Sequence, residues 1–217
     1  MHTNWHNSIN DYSASMSTPE DPFLQAIHRF TWKKMINPRM LSEHLQGLML
    51  SQLVALHKPK IILEIGTFTG YATACLLKNL PQGSELHTIE ADLETHWKTK
   101  EFWKTQGKDH MVNWHHGNAV DILKRWNKRL PLDFVFVDAD KSNYINYLNH
   151  IKEMLNPNGI VLFDNTLWSN RVLNLEDREK DKDTKNMHEF NKFALSLPEF
   201  ETLLIPIRDG LTMMRKY

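Results

Sequence analysis

Short, unbroken apolar runs alternate along this chain with longer stretches in which apolar residues return every three or four positions. Ile61 to Leu63, Leu86 to Ile89, Phe134 to Val137 and Ile160 to Phe163 are too short for helices, and such continuous runs are how strands buried on both faces read. A shorter strand is expected near Val112 to His115. Between the strands, helical spacing covers Leu93 to Trp103, Ala119 to Trp126 and Tyr144 to Leu155, the last stopped by Pro157 and Gly159. Ahead of the first strand, Phe23, Leu24, Ile27, Phe30 and Trp32 share a helix face, and Leu41 to Leu56 continue the pattern after Pro38.

Strands alternating with helices predict an α/β fold with a mostly parallel central sheet and helices on both faces. The end of the chain departs from this rhythm. Phe200 to Ile207 and Leu211 to Arg215 flank Arg208, Asp209 and Gly210, which predicts a C-terminal antiparallel hairpin at the sheet edge. Residues 1–20 are rich in Ser, Asn, Asp and His without periodicity and are read as a flexible N-terminal arm, leaving 21–217 as a single domain. The densely charged stretch Glu176 to Lys185 is read as a solvated insertion.

Composition narrows the partners. With 217 residues and 41% hydrophobic content the chain can bury one substantial core. Its 26 basic and 26 acidic residues cancel and form no basic tract, which speaks against nucleic acid and for a small-molecule partner. No apolar run reaches the roughly 18 residues of a membrane span, and no signal-peptide core is visible, so a soluble, cytoplasmic protein is expected. Cys75 lies in an apolar helical pattern and is read as packing.

The chemistry sits at the strand ends. Phe134 to Val137 runs into Asp138, Ala139, Asp140 and Lys141, and Ile160 to Phe163 runs into Asp164 and Asn165. Either acidic end alone could be a turn. In open α/β sheets, however, ligands bind at the carboxyl ends of the strands, where these groups would converge. Three hard oxygen donors suit a Mg²⁺ or Ca²⁺ type ion, and a lysine beside them suits proton transfer.

The turn Glu64-Ile65-Gly66-Thr67-Phe68-Thr69-Gly70 opens the first helix after a strand as a nucleotide site does, but Phe68 stands where a dinucleotide fingerprint needs its middle glycine. Glu64 would repel phosphates and favour a cationic ligand, and S-adenosylmethionine (SAM) carries both an ammonium and a sulfonium. Glu90, ending the second strand, stands where a carboxylate accepts ribose hydroxyls.

Four segments, LEIGTFTGY (63–71), VDADKSNY (137–144), FDNTLW (163–168) and IPIRDGLT (205–212), resemble in order and spacing the cation-dependent, SAM-dependent O-methyltransferases, the family of caffeoyl-CoA and catechol O-methyltransferases and small bacterial relatives. The resemblance runs from about Met40 to the carboxyl terminus. It implies a Rossmann-like class I methyltransferase fold. It also implies metal ligation by Asp138, Asp164 and Asn165, and Lys141 as the catalytic base. The matching cofactor positions are Met40, Glu64, Gly66, Thr67, Ala72, Glu90, Ala119, Asp138, Asp140 and Tyr147. Ala72 is usually a serine in relatives, which implies that one bond to the methionine carboxylate is either missing here or supplied by water. Trp168 and His188 are the candidate acceptor contacts, His188 standing near a point where relatives often have an arginine.

The activity this resemblance implies is a divalent-metal-dependent methyl transfer from SAM to a vicinal dihydroxy aromatic, with Mg²⁺ expected and Mn²⁺ or Ca²⁺ as substitutes, in a homodimer by analogy with relatives. The alternatives are a nicotinamide-dependent oxidoreductase, a non-catalytic SAM-binding protein and a nucleic-acid methyltransferase. The missing glycine disfavours the first, the metal set and Lys141 the second, and the absence of a basic tract the third.

Overall fold

The computed structural model describes residues 3–126 and 130–217. Its strands are β1 (Ile61–Ile65), β2 (Glu85–Glu90), β3 (Asn113–His116), β4 (Leu132–Val137), β5 (Leu155–Asp164), β6 (Phe200–Ile205) and β7 (Leu211–Lys216). They form one sheet in the order β3-β2-β1-β4-β5-β7-β6, with β1 to β5 parallel and β7 antiparallel to both β5 and β6. The expected hairpin is therefore present, with its returning strand inserted next to β5.

The central strands bury alternate residues on opposite faces, as the period of two requires. Leu63, Ile65, Val135, Val137, Val161 and Phe163 join one apolar cluster, whereas Ile62, Phe134, Phe136 and Leu162 join the other. The helices before β2, α1 (Thr3–Ser15), α2 (Pro22–Lys34), α3 (His44–His57) and α4 (Tyr71–Leu77), are followed by α5 (Leu93–Thr105). From α2 to α5 they supply Leu24, Ile27, Leu50, Val54, Leu76 and Trp103 to the second cluster. The later helices α6 (Ala119–Lys124), α7 (Tyr144–Met154) and α9 (Lys182–Ser196) cover the first cluster through Leu123, Leu148, Ile151, Phe190 and Ala194. Cys75 is buried in the second cluster, as packing.

The connection order reverses between β1 and β4, so their carboxyl ends part and leave a crevice there. Gly66 lines that crevice. It has φ +97°, and a Cβ on it would stand 2.0 Å from the Asp138 carbonyl oxygen. The glycine thus serves the approach of two strand ends, which Asp138 N–H donating to the Ile65 carbonyl at 2.8 Å also fixes.

Three expectations need correction. The first twenty residues are not without an element, since Thr3–Ser15 is helical, although Met1 and His2 lie outside the described residues. Their polar character hid a helix that lacks a broad apolar stripe. The chain does not loop between α7 and β5, because β5 starts at Leu155, which pairs with Leu132, and runs through Pro157 and Gly159. Pro157 is exposed and the register to β4 shifts over this stretch, so the missing N–H is tolerated. The charged stretch is also helical: α8 (Leu175–Lys180) is capped by Asn174 and α9 by Asp181, and Glu176 pairs with Lys180 one turn on.

Candidate active site

A cavity of about 870 Å³ opens at the carboxyl ends of β1, β2, β4 and β5. One wall comes from the strand ends Gly66, Thr67, Glu90 and Asp138, and another from the loop Lys34 to Ser42, which includes Met40. Ala72 at the start of α4 and Ala119 at the start of α6 also face it. So do Asp140, Lys141, Tyr147, Asp164, Asn165 and Trp168. Every candidate residue except Glu64 and His188 therefore reaches one space.

On the Glu90 side the loop is held by the acid itself. Glu90 accepts the Phe68 N–H at 2.8 Å and the Asp92 N–H at 2.9 Å, and burial pushes its carboxyl up despite these bonds. Phe68, at φ +48°, takes the left-handed turn that a glycine would otherwise favour. The Thr67 hydroxyl shares a 2.5 Å hydrogen bond with the Thr88 hydroxyl. Asp140 accepts from the Tyr147 hydroxyl and from Asn143 Nδ2, which ties the loop after β4 to α7.

The acidic group lies at the ends of β4 and β5. Asp138 Oδ1 accepts from Lys141 Nζ at 2.8 Å, an ion pair one turn apart in a partly buried setting. Asp164 is 1% exposed; its Oδ1 accepts the Asn165 N–H at 2.7 Å and its Oδ2 accepts from Gln46 Nε2 at 2.7 Å. Burial, reinforced by the charge of Asp138, pushes the Asp164 carboxyl up to about 6. Each carboxylate oxygen offers two lone pairs, so these bonds leave acceptor capacity on both aspartates. Among the described residues no three His, Cys, Asp or Glu side chains are arranged to hold a metal ion. The candidate set here is two aspartates and an asparagine, an all-oxygen set whose neighbouring negative charges fit a hard cation.

Glu64 is not brought to the cavity. The alternation of β1 sends it to the face of Ile62, where it is fully buried and its Oε2 accepts from the Thr73 and Thr88 hydroxyls, both at 2.5 Å. Its Oε1 has no partner, and burial pushes the carboxyl from about 4.5 up to about 8. Burial thus favours its neutral form, and the carboxyl does not face the cavity where the sequence reading set it beside a cationic ligand. The folded state holds this proton more tightly than the unfolded chain, so the stabilisation is complete below about pH 4.5 and is lost as pH rises through about 8. Thermal unfolding of Glu64→Gln should match the parent at about pH 4 and exceed it by a margin that grows up to about pH 8; identical pH profiles would refute a protonated Glu64.

His188 is also elsewhere. It lies on α9 with Nε2 3.3 Å from Arg178 Nη1, and burial followed by that guanidinium lowers its proton affinity. It does not line the cavity. Sequence reasoning passed over Gln46, Arg208 and Asp209, all close to Asp164 and Asn165. Gln46 was a lone amide in an apolar helix face, and Arg208 and Asp209 read as turn residues.

A mostly parallel sheet, a cavity at its topological switch point and an acid ending β2 define a class I methyltransferase architecture. The chain belongs to the O-methyltransferase family, whose model matches residues 13–217. It is 31% identical over 179 residues to a flavonoid 3',5'-methyltransferase of Vitis vinifera, covering 79% of this chain and 76% of that one. It is 30% identical over 179 residues to a caffeoyl-CoA O-methyltransferase of Medicago sativa, covering 79% and 72%. Among solved structures it is similar to the O-methyltransferase TomG of Streptomyces achromogenes, determined in complex with SAM, with a TM-score of 0.88, 26% identity and coverage of 100% and 99%. The oxidoreductase alternative is not favoured. Among the described residues, no helix is long and apolar enough to cross a membrane.

Proposed function

We propose that this chain transfers a methyl group from SAM to one hydroxyl of a vicinal dihydroxy aromatic, with a divalent cation held by Asp138, Asp164 and Asn165. The single observation that carries the reading is the convergence of these oxygens, Lys141 and the Glu90 turn on one cavity. The SAM-bound neighbour and the flavonoid and caffeoyl-CoA relatives support the donor and the aromatic acceptor.

Glu90 accepts the ribose hydroxyls, and the bare backbone at Gly66 and Ala119 lets the nucleoside approach. Ala72 offers the methionine carboxylate no hydroxyl, so backbone groups at the start of α4 hold it. Tyr147 and Asp140 close the cavity beside the reacting groups. A divalent cation, with Mg²⁺ best suited and Mn²⁺ or Ca²⁺ as substitutes, supplies acidification of a phenol and a preference for two adjacent ring oxygens. Lys141, 2.8 Å from Asp138 Oδ1, would take the phenol proton as a neutral amine after passing its own ammonium proton to solvent, with Asp138, Asp164 and Asn165 the residues that would hold the cation. Trp168 offers a face for the acceptor ring. The oxygen then attacks the methyl carbon as the sulfur leaves, and holding the two in line contributes several kcal/mol.

Acceptors in pairs, each vicinal diol beside its monohydroxy counterpart, test the substrate class with labelled SAM. Methylation confined to the diols is the expected result, and equal methylation of both members would contradict it.

A further inference from the structure

The candidate cation ligands have a scaffold of their own, built from residues distant in the chain. Gln46 lies on α3, 118 residues before Asp164, and is 1% exposed. Its side chain bridges two groups: Oε1 accepts from Arg208 Nη1 at 2.5 Å, and Nε2 donates to Asp164 Oδ2 at 2.7 Å. The direction is forced by chemistry. A guanidinium only donates, so it must meet the amide oxygen, and the amide nitrogen is thereby aimed at the aspartate. Arg208 Nη1 itself stands 4.0 Å from Asp164 Oδ2, and its Nε stands 3.4 Å from Glu43 Oε2.

Arg208 occupies an unfavourable backbone position, with φ +49°, where glycine is the comfortable residue. A non-glycine residue persists there when its side chain has work to do. The same corner steadies the loop that carries Asn165. Leu167 N–H donates to the Asp209 carbonyl at 2.7 Å, Thr166 N–H donates to that of Gly210 at 3.0 Å, and the Asp209 carboxylate accepts the Ser169 N–H.

We propose that Gln46 and Arg208 are positioning residues that hold the Asp164 carboxylate in the orientation a divalent cation requires. The proposal rests on the cation reading above. Gln46 occupies one lone pair of Oδ2 and fixes the plane of the carboxylate, as the Asn165 N–H does for Oδ1. Such hydrogen bonds to metal ligands are worth about 10–100-fold in metal affinity when removed.

The test is Mn²⁺ binding, read from the loss of the free-ion electron paramagnetic resonance signal, for the parent, Gln46→Leu and Arg208→Gly. S-adenosylhomocysteine binding by calorimetry and thermal unfolding run alongside. Both variants should bind Mn²⁺ about 10–100-fold more weakly with S-adenosylhomocysteine affinity unchanged. Arg208→Gly should unfold at the same or a higher temperature because it relieves the positive φ, a result a merely structural arginine would not give together with lost Mn²⁺ affinity. Should Gln46→Leu fail to fold, Arg208→Gly alone decides the matter. Parent-like Mn²⁺ affinity in the folded variants overturns the proposal and leaves the cation site standing. A parallel loss of S-adenosylhomocysteine binding also overturns it, since the defect would then be of the whole cavity. A parent that binds no Mn²⁺ overturns the cation reading beneath it.

Discussion

Lys141→Ala is expected to lower turnover by about 10²–10⁴-fold, the usual worth of a positioned general base and about 3–5 kcal/mol of barrier. The loss should fall on kcat, with SAM affinity nearly unchanged. Lys141 sits in the short 3-10 turn after β4, partly buried and within hydrogen-bond reach of Asp138. On the proposed mechanism, removing the amine takes away the proton acceptor while Glu90, Gly66 and Ala119, elsewhere on the cavity wall, are untouched. Single-turnover methyl transfer and calorimetric titration with SAM measure the two quantities separately. A variant that loses SAM binding as steeply as turnover would make Lys141 a cofactor contact instead.

Asp164→Ala should damage fold and rate together, because it removes a proposed cation ligand and leaves Gln46 Nε2 and the Asn165 N–H without an acceptor in a buried place. A fall in rate on the order of 10³-fold is expected from the lost electrophilic assistance, together with a loss of Mn²⁺ binding. Asp164→Asn keeps the volume and one of the two acceptor oxygens, so it should disturb the fold less than Asp164→Ala and still lose most of the rate. Parallel measurement of unfolding temperature and Mn²⁺ affinity separates damage to the fold from damage to the site. An Asp164→Asn protein with parent-like rate and parent-like Mn²⁺ affinity would remove Asp164 from the ligand set.

How far the sequence carried these conclusions depended on the range of the interactions involved. The strands were legible because a parallel strand covered on both faces must be apolar throughout, as Phe134 to Val137 is. The site was legible for a related reason. Asp138, Asp164, Asn165 and Glu90 directly end or follow such strands, so the fold class alone brings them to one edge. Glu64 was misplaced because it lies inside the strand and not at its end: its carboxylate is buried against the Thr73 and Thr88 hydroxyls, whereas Ile65 and Gly66 after it line the cavity. The Leu155 to Gly159 part of β5 stayed hidden because Pro157 and Gly159 are strand breakers by composition, and only the pairing of Leu155 with Leu132 overrides them.

The supports of the site were the least visible. Gln46 meets Arg208 across 162 residues and Asp164 across 118, and nothing local distinguishes such an amide from any polar residue on a helix. Likewise α8 has no buried residue and rests on its Asn174 cap, and α9 opens at Asp181 before its buried face begins, so a charge count alone described this stretch as solvated chain.

The central claim is that a divalent cation in this cavity enables methyl transfer to a vicinal diol. It is tested most directly by following labelled methyl from SAM to caffeate in Mg²⁺, after adding EDTA, and after restoring excess Mg²⁺. Transfer in Mg²⁺, its loss with EDTA and its return with the ion are the predicted results; transfer at the same rate in EDTA would contradict the account.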